Sequence, residues 1–337
     1  MHINHLFFYL IAFLGFGILG CFGGEDRDIP SVDHISVALE VDRFDQDFLA
    51  FTKDSTMEAY QDLKQAYPDF FEPVFLGRML PMLQDSVSFL HFSQAQPIRN
   101  LFDTCSLVFN DFSLYEKDLE QAFQFYKYYF HERDIPRIIT FASEYTYGNF
   151  TLGEEILGIG LDFFLGEDHK GYPPQIFPRY VQRRMTPEHL VSRSMQTLLG
   201  EIMPPQSGDR MLDYMIHNGK VLYFLDHLLP HTPDSIKLGY TQEQVEWVND
   251  NELDMWSFFL AEELLYYTQF KEFRKYVEAS PDSPGMPDQA PGRTANWIGW
   301  QIVKQYMEKN PNITMEGLLK QESAQVLFTK AKYKPRR

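Results

Sequence analysis

The chain contains few cysteines and fewer basic than acidic residues. Only two of its 337 residues are cysteine, Cys21 and Cys105, which excludes a disulfide scaffold and the cysteine-rich zinc or iron–sulfur sites. The 30 lysines and arginines are outnumbered by 47 aspartates and glutamates, and the formal net charge is −17. A chain of this charge repels a phosphate backbone, so we expect no nucleic-acid partner.

The sequence also lacks the signatures of common enzyme classes. It has no GxxxxGK[ST], no GxSxG, no GxGxxG after a strand and no CxxC, so nucleotide binding and serine hydrolysis have no support. His227 and His231 have the spacing of zinc ligands on a helix, but Pro230 lies between them. His189 is followed at the fourth position by Arg193. We therefore expect no catalytic residue, no metal ligand and no cofactor.

Long apolar runs are confined to the N-terminus. Residues 6–19 read LFFYLIAFLGFGIL, which is short of the ~20 residues of a membrane-spanning helix and fits the core of a signal peptide. The run ends in Ile18-Leu19-Gly20-Cys21, which is similar to the lipobox of bacterial lipoproteins. In such proteins the cysteine becomes the N-terminal residue and carries diacylglycerol and fatty acids such as palmitate. We expect residues 1–20 to be a signal peptide and Cys21 to anchor the chain in a bilayer.

Residues 21–34 are polar and acidic, with Glu25, Asp26 and Asp28 close behind Cys21. This composition predicts a flexible tether leading to a single globular domain at 35–337. Acidic residues in this position resemble the surface-export signal of Bacteroidetes lipoproteins. The expected location is the cell envelope, with the domain facing either the periplasm or the cell surface.

Hydrophobic patterning in the domain predicts an α+β fold, mostly helical with a small antiparallel sheet. Residues 35–41 alternate between apolar and polar, and the runs 136–144 and 156–165 are β-like. Most of 45–130 is helical in character, as are the segments 186–203, 209–229, 294–309 and 314–329, and a long helical segment follows residue 241. The proline-rich residues 280–293 predict an ordered loop.

Local signals place several helix starts. Ser113-x-x-Glu116 and Thr241-x-x-Gln244 have the pattern of capping boxes. Thr186 before a proline is typical of the first residues of a helix. Within the helix predicted after residue 113, the apolar stripe repeats at the spacing of a buried face; it consists of Leu119, Phe123, Tyr126 and Phe130.

Candidate binding residues cluster near the last large helix. Arg293, after Gly292, stands at the predicted helix start, where a positive charge is unfavourable on its own. It therefore needs a carboxylate or backbone carbonyl, for structural anchoring, or it binds an anion. Gly299 in mid-helix suggests close packing, beside Trp297.

In the second β-like run, Gly158, Gly160 and Asp162 alternate on one face. Glycines at such positions indicate that another backbone comes close to the strand on that side. Asp162 shares this face and is therefore a candidate binding residue.

An ordered set of segments over nearly the whole mature chain resembles the gliding-motility lipoprotein GldB family of Bacteroidetes. No single segment is diagnostic. The segments are the lipobox at Cys21, Arg43-Phe44-Asp45, Gly160-Leu161-Asp162, Phe177-Pro178-Arg179-Tyr180, Asn218-Gly219-Lys220 with Leu225-Asp226, Pro291-Gly292-Arg293 with Trp297-Ile298-Gly299-Trp300-Gln301-Ile302-Val303 and Tyr306-Met307, and Lys332-Tyr333-Lys334-Pro335.

This resemblance implies a lipid-anchored protein of the cell envelope that is needed for gliding and is associated with the type IX secretion machinery. It would be a non-enzymatic component or accessory, with protein partners in that machinery. The layout also resembles zinc peptidases of the gluzincin kind. Residues 191–196 read VSRSMQ where such peptidases have HExxH, and Asn218 stands where their later glutamate ligand falls. The second resemblance implies a peptidase scaffold without its metal ligands.

Two alternative functions remain open at this point. One is an envelope zinc-dependent hydrolase with an atypical site that uses His189 or His217. The other is a ligand-binding lipoprotein with a cleft between the helices and the glycine face at 158–162. Coordinates discriminate between them, because the first needs three converging ligands and the second needs an unfilled cleft.

Overall fold

The computed structural model describes residues 28–83 and 85–336. The predicted signal peptide, the predicted lipidation site Cys21 and the first half of the predicted tether, residues 21–27, lie outside the described residues. Within them, four strands form one sheet in the order β1-β2-β4-β3. The strands are β1 (Val41–Asp42), β2 (Arg137–Phe141), β3 (Phe150–Leu152) and β4 (Ile156–Gly160).

Helices make up most of the described chain, which confirms the mostly helical α+β class. A π-helix at Phe71–Met79 and short 3₁₀ turns at Leu161–Phe163, Pro187–His189 and Leu264–Tyr266 accompany the α-helices. The α-helices are α1 (Phe44–Lys53), α2 (Met57–Ala66), α3 (Ser86–Gln94), α4 (Gln96–Phe109), α5 (Ser113–Tyr129), α6 (Arg179–Gln182), α7 (Leu190–Ile202), α8 (Met211–Leu228), α9 (Asp234–Leu238), α10 (Gln242–Asp250), α11 (Glu252–Ala261), α12 (Phe270–Val277), α13 (Thr294–Lys309), α14 (Met315–Leu319) and α15 (Ala324–Ala331).

The small sheet is mixed, with one antiparallel pair. The antiparallel pairing predicted from the sequence is found between β3 and β4. In contrast, β2 pairs parallel with both β1 and β4. The two long β-like runs are therefore parallel neighbours, because residues 142–155 carry the chain back and place β3 on the far side of β4. The first strand is much shorter than the predicted 35–41, because β1 comprises only Val41 and Asp42.

Helix starts agree with the sequence signals only in part. The box at Thr241 forms in full at the start of α10, with both reciprocal hydrogen bonds present. The predicted box at Ser113 does not form, because Ser113 is already inside α5 and its backbone N–H is bound by the Asp111 carboxylate. Thr186 bonds the ring of His189 rather than a backbone N–H. The stripe on α5 is fully buried as predicted.

The helices that follow β1 pack around an aromatic core. Phe44 lies edge-on to Tyr67, Phe70 and Phe75, and Phe48 lies 4.5 Å from Phe102 between ring centroids. Aromatic pairs of this geometry contribute about 0.5–1.5 kcal/mol each beyond the burial of their area. This core holds α1 against the sheet, since α1 also contacts β2.

The later helices are organised by two glycines. Gly219 of α8 and Gly299 of α13 lie against each other, so that a Cβ on Gly219 would overlap the Gly299 carbonyl group. A Cβ on Gly299 would overlap the Met215 carbonyl oxygen. The backbones of the two helices are therefore in direct contact. This close approach explains why glycine is present in mid-helix at both positions.

The described residues include no helix that is both long and apolar enough to cross a membrane. The residues from Val32 onward cluster into one compact unit. Its hydrophobic core runs through the aromatic cluster, the sheet and the α8–α13 pair.

Gly299→Ala should lower the free energy of unfolding by about 1–3 kcal/mol or more, because the added methyl group meets a backbone carbonyl that cannot rotate away. The measurement is urea unfolding monitored by circular dichroism. Gly200→Ala is the matched control, since that exposed position in α7 has no atom within 4 Å of an added Cβ. The control should gain about 0.5–1 kcal/mol from helix propensity. Equal effects at both positions would contradict the close-packing explanation.

Candidate functional site

A small cavity lies where four separate segments of the chain meet. Its volume is about 20 Å³ and it is partly open to solvent, which gives room for one small chemical group. The segments are the end of α6, the α9–α10 connection, the residues after α12 and the residues before α13. The lining consists of Tyr180, Arg183, Arg184, Gly239, Tyr240, Gln244, Ala279, Ser280, Pro281, Pro291, Gly292 and Arg293. We call this cavity the arginine pocket.

Arg184 forms one wall of the pocket. Its side chain lies against the backbone of Gly239, which has a φ of +63° and leaves no space for a Cβ beside the Arg184 stem. The Nε of Arg184 is buried without a hydrogen-bond partner among the described residues. A buried N–H group without a hydrogen-bond partner costs free energy. The fold therefore leaves the hydrogen bond of the Arg184 Nε unmade.

Arg293 also lines the pocket and directly precedes α13. Its backbone is left-handed, with a φ of +65°, and its N–H donates to the Lys275 carbonyl oxygen at 3.0 Å. Its Nη2 donates to the Leu238 carbonyl oxygen at 2.5 Å, and the guanidinium lies 5.2 Å from the ring centroid of Tyr240. Arg293 thus tethers the end of α9 through a backbone carbonyl, one of the two partners expected from its position.

Gly292 fits the loop closely against its neighbours. An added Cβ there would overlap the hydroxyl and carbonyl oxygens of Ser280. The Tyr240 hydroxyl donates to the Gly292 carbonyl oxygen at 2.7 Å. The proline-rich loop is pinned further because the Ser283 hydroxyl donates to the Pro291 carbonyl oxygen at 2.7 Å. Residues 280–293 are therefore an ordered wall of the pocket without regular secondary structure.

The pocket region is strongly positive. Burial lowers the pKa of Arg184 well below its usual value, and the nearby Arg293 and Arg193 lower it further. Burial likewise lowers the pKa of Arg293 and of Arg193. His189 has a pKa lowered to about 4, first by burial and then by these same arginines. The arginines disfavour one another's charge, and His189 is neutral at pH 7.

Carboxylates do not neutralise this charge from inside the pocket. Within the part of the chain that the structure describes, no aspartate or glutamate is among the lining residues. Glu243 acts electrostatically on Arg183, which lies at the exposed rim, and Glu188 acts on His189. The pocket therefore presents N–H donors and positive potential to whatever group occupies it.

Asp162 lies elsewhere, at the carboxyl ends of β2 and β4. It is fully buried and its Oδ2 accepts the backbone N–H groups of Ser143 and Tyr145 at 3.0 and 2.7 Å. Its Oδ1 has no partner among the described residues. Burial raises the pKa of Asp162 to about 6, against the effect of the two N–H donors. This carboxylate holds the strained turn after β2, where Glu144 and Tyr145 both have positive φ.

The expected cleft beside the glycine face is filled by the chain itself. A Cβ on Gly158 would overlap the ring of Phe150 on β3, and one on Gly160 would lie 2.7 Å from the Tyr147 carbonyl oxygen. Another backbone does approach on this side, as the glycines indicate. The ligand-binding alternative is therefore wrong at this position, since β3 and the preceding loop occupy the space that a ligand would need.

The remaining sequence candidates are part of the core. Trp297 and Gly299 are buried in α13, and the Trp297 ring lies edge-on to Trp300 at 5.4 Å between ring centroids. In residues 28–83 and 85–336, no group of three or more His, Cys, Asp and Glu side chains is placed to hold a metal ion. The zinc-hydrolase alternative thus lacks a ligand set there. Cys105 is a buried free thiol whose pKa is raised by burial.

Sequence reasoning found Arg293 and Gly292 but missed the residues that meet them across the pocket. Arg184, Tyr240 and Ser280 come from three other segments and carry no local motif. No short-range signal marks them, because the adjacent basic pair Arg183-Arg184 has a counterpart in Arg274-Lys275, which does not line the pocket. The structure does not bring Asp162, Trp297 or Gly299 into the pocket lining.

Residues 25–335 match the family model described as "Gliding motility protein GldB". No curated protein matches the chain, and no solved structure matches it. The match spans nearly all the described residues, including the arginine pocket and the sheet.

Asp162→Asn should flatten the pH dependence of stability. A raised pKa means that the folded protein holds the proton more tightly than the unfolded chain, so the free energy of unfolding falls as pH rises from about 3.8 to about 6. At about 1.4 kcal/mol per pKa unit, Asp162 accounts for a decrease of up to about 3 kcal/mol in the free energy of unfolding over this pH range. The variant should not show this decrease. Urea unfolding at pH 4, 5, 6 and 7 measures it. The exposed Asp288→Asn should keep the wild-type dependence, and a wild-type profile for Asp162→Asn would refute the assignment.

Proposed function

Because the chain belongs to the GldB family of gliding-motility proteins, we propose that it is a lipid-anchored, non-enzymatic component of the gliding apparatus in the cell envelope. The observation that carries this proposal is the family match over residues 25–335. The match begins just after Cys21 and continues almost to the last residue. The match therefore covers nearly the whole chain that follows the proposed cleavage site, and not one segment of it.

The proposed anchor is Cys21. The apolar run at 6–19 and the sequence Ile18-Leu19-Gly20-Cys21 support a lipoprotein signal peptide that is removed at this cysteine. The described residues provide no helix able to span a bilayer, so attachment in this proposal depends on the lipid. Two or more acyl chains give stable membrane attachment, whereas one chain gives marginal binding.

The non-enzymatic role is supported by the chemistry of the described residues. The segment where gluzincin-like peptidases have HExxH contains Ser192, Arg193 and Ser194. Without two histidines and a glutamate, no water is activated and no carbonyl group is polarised by zinc. The protein would therefore act through contacts with partners of the gliding machinery, and we extend the proposal to the associated type IX secretion machinery.

A deletion strain tests the motility role. Cells lacking the gene should fail to glide. They should also fail to release the proteins that the type IX machinery secretes. Complementation with the wild-type gene should restore both. Normal gliding in the deletion strain would overturn the proposal, and normal secretion with lost gliding would restrict it to motility.

Cys21→Ala should abolish lipid attachment. Cells fed a fatty-acid analogue should label the wild-type protein, and the variant should lose the label and move from the membrane to the soluble fraction. Cys105→Ala is the matched control, because Cys105 is the buried free thiol of the domain. It should keep both the label and the membrane location. A labelled Cys21→Ala protein would show that the anchor lies elsewhere.

A further inference from the structure

We propose that the arginine pocket is a binding site for a phosphate group, and that a larger phosphorylated ligand would leave its remaining atoms outside the protein. This inference is independent of the proposed motility role. It rests on the convergence of Arg184 and Arg293 on one cavity, on the partnerless donor of Arg184, and on the size of the cavity.

The charge of the pocket is unusual for this chain. Three other partly buried arginines have carboxylate partners: Arg43 pairs with Asp45 at 2.8 Å, Arg137 with Asp42 at 3.1 Å, and Arg210 with Asp213 at 2.8 Å. Arg184 and Arg293 act instead on each other and on Arg193. Although the chain has an excess of acidic residues, none of the described residues that line this pocket is acidic, so a bound anion would supply the negative charge.

Both arginines offer hydrogen-bond donors to a ligand in the pocket. The Arg184 Nε is buried without a partner among the described residues. Arg293 uses Nη2 for the Leu238 and Gly239 carbonyl oxygens, and its guanidinium has further N–H groups. The pocket also borders the residues directly before α13, a helix of 16 residues, and the positive end of a helix favours anions.

The number of these donors favours phosphate over carboxylate. A carboxylate has two oxygens in one plane, which a single arginine fork satisfies. A phosphate group has three or four oxygens and carries up to two negative charges, so it suits a cavity lined by two guanidinium groups. A cavity of about 20 Å³ that is partly open admits one such group and leaves an ester substituent in solvent.

The test uses the full chain purified in detergent, with inorganic phosphate as the probe in calorimetric titration and thermal unfolding. Phosphate should bind and raise the wild-type Tm, while chloride at equal ionic strength should not. Arg184→Gln should weaken phosphate binding by about tenfold or more. Without phosphate, its Tm should match or exceed that of wild type, because the charge repulsion with Arg293 and Arg193 is relieved.

Arg274→Gln is the control for loss of one positive charge, since Arg274 is exposed on α12 outside the pocket. It should keep wild-type phosphate affinity. Arg183→Gln, at the rim, should weaken binding less than Arg184→Gln and serves as a second variant if Arg184→Gln does not fold. Equal affinity in Arg184→Gln and wild type, or no binding by wild type, would overturn the proposal.

Two further probes define the ligand. Acetate binding as tightly as phosphate would overturn the assignment to a phosphate group in favour of a carboxylate. Glycerol 3-phosphate distinguishes the sources of the group: tighter binding than inorganic phosphate supports a phosphorylated molecule, and binding of inorganic phosphate alone supports the free ion. Both of these results support the site, and Arg184→Gln should weaken whichever one binds.

Discussion

The contact between Gly219 and Gly299 is the constraint on which the second half of the molecule depends. It brings the backbones of α8 and α13 together, and α7, α12 and α15 pack against one or both of these helices. Because α13 begins directly after Arg293, the glycine contact also fixes where that guanidinium lies. A side chain at either glycine would separate the helices and move one wall of the arginine pocket relative to the others.

Buried positive charges in this fold fall into two groups, those with carboxylate partners and those without. Lys237 is buried, and its Nζ contacts the carboxylates of Asp226 and, at 2.8 Å, Asp234. That arrangement satisfies a buried cation internally, as a structural role requires. In the arginine pocket, by contrast, the Arg293 side chain contacts backbone carbonyls and the face of Tyr240, and the Nε of Arg184 has no partner among the described residues. The contrast indicates that the pocket's positive charge is kept for an external partner rather than for folding.

Local patterns predicted the helices well because their signals are contained within a few residues. The segment 294–309 became α13 and the box at Thr241 formed as expected, since periodicity and capping act within one or two turns. The strand pairing was harder to predict, because residues 136–144 and 156–165 have the same patterning in either direction. The chain path through β3 decides their orientation, and nothing within the two runs encodes it.

The candidate site shows the same division. Arg293 was recognisable because a cation at a helix start is locally unfavourable, and Gly299 because glycine in mid-helix is costly. Arg184, Tyr240 and Ser280 violate no local rule. Their importance arises only when four distant segments meet, so a single sequence contains no short-range signal for it.

The pair His189 and Arg193 shows why the surroundings of His189 disfavour a metal ion. The two residues have the i, i+4 relation that zinc peptidases use to point two imidazoles at one ion. Here the second position is a cation, and burial first, then the charges of Arg184, Arg193 and Arg293, lower the pKa of His189 to about 4. A neutral imidazole alone could bind zinc, but a divalent cation beside it would face three guanidinium charges at close range. The positive charge that disfavours a metal ion beside His189 would favour an anion, so the surroundings of His189 agree with the ligand proposed for the arginine pocket.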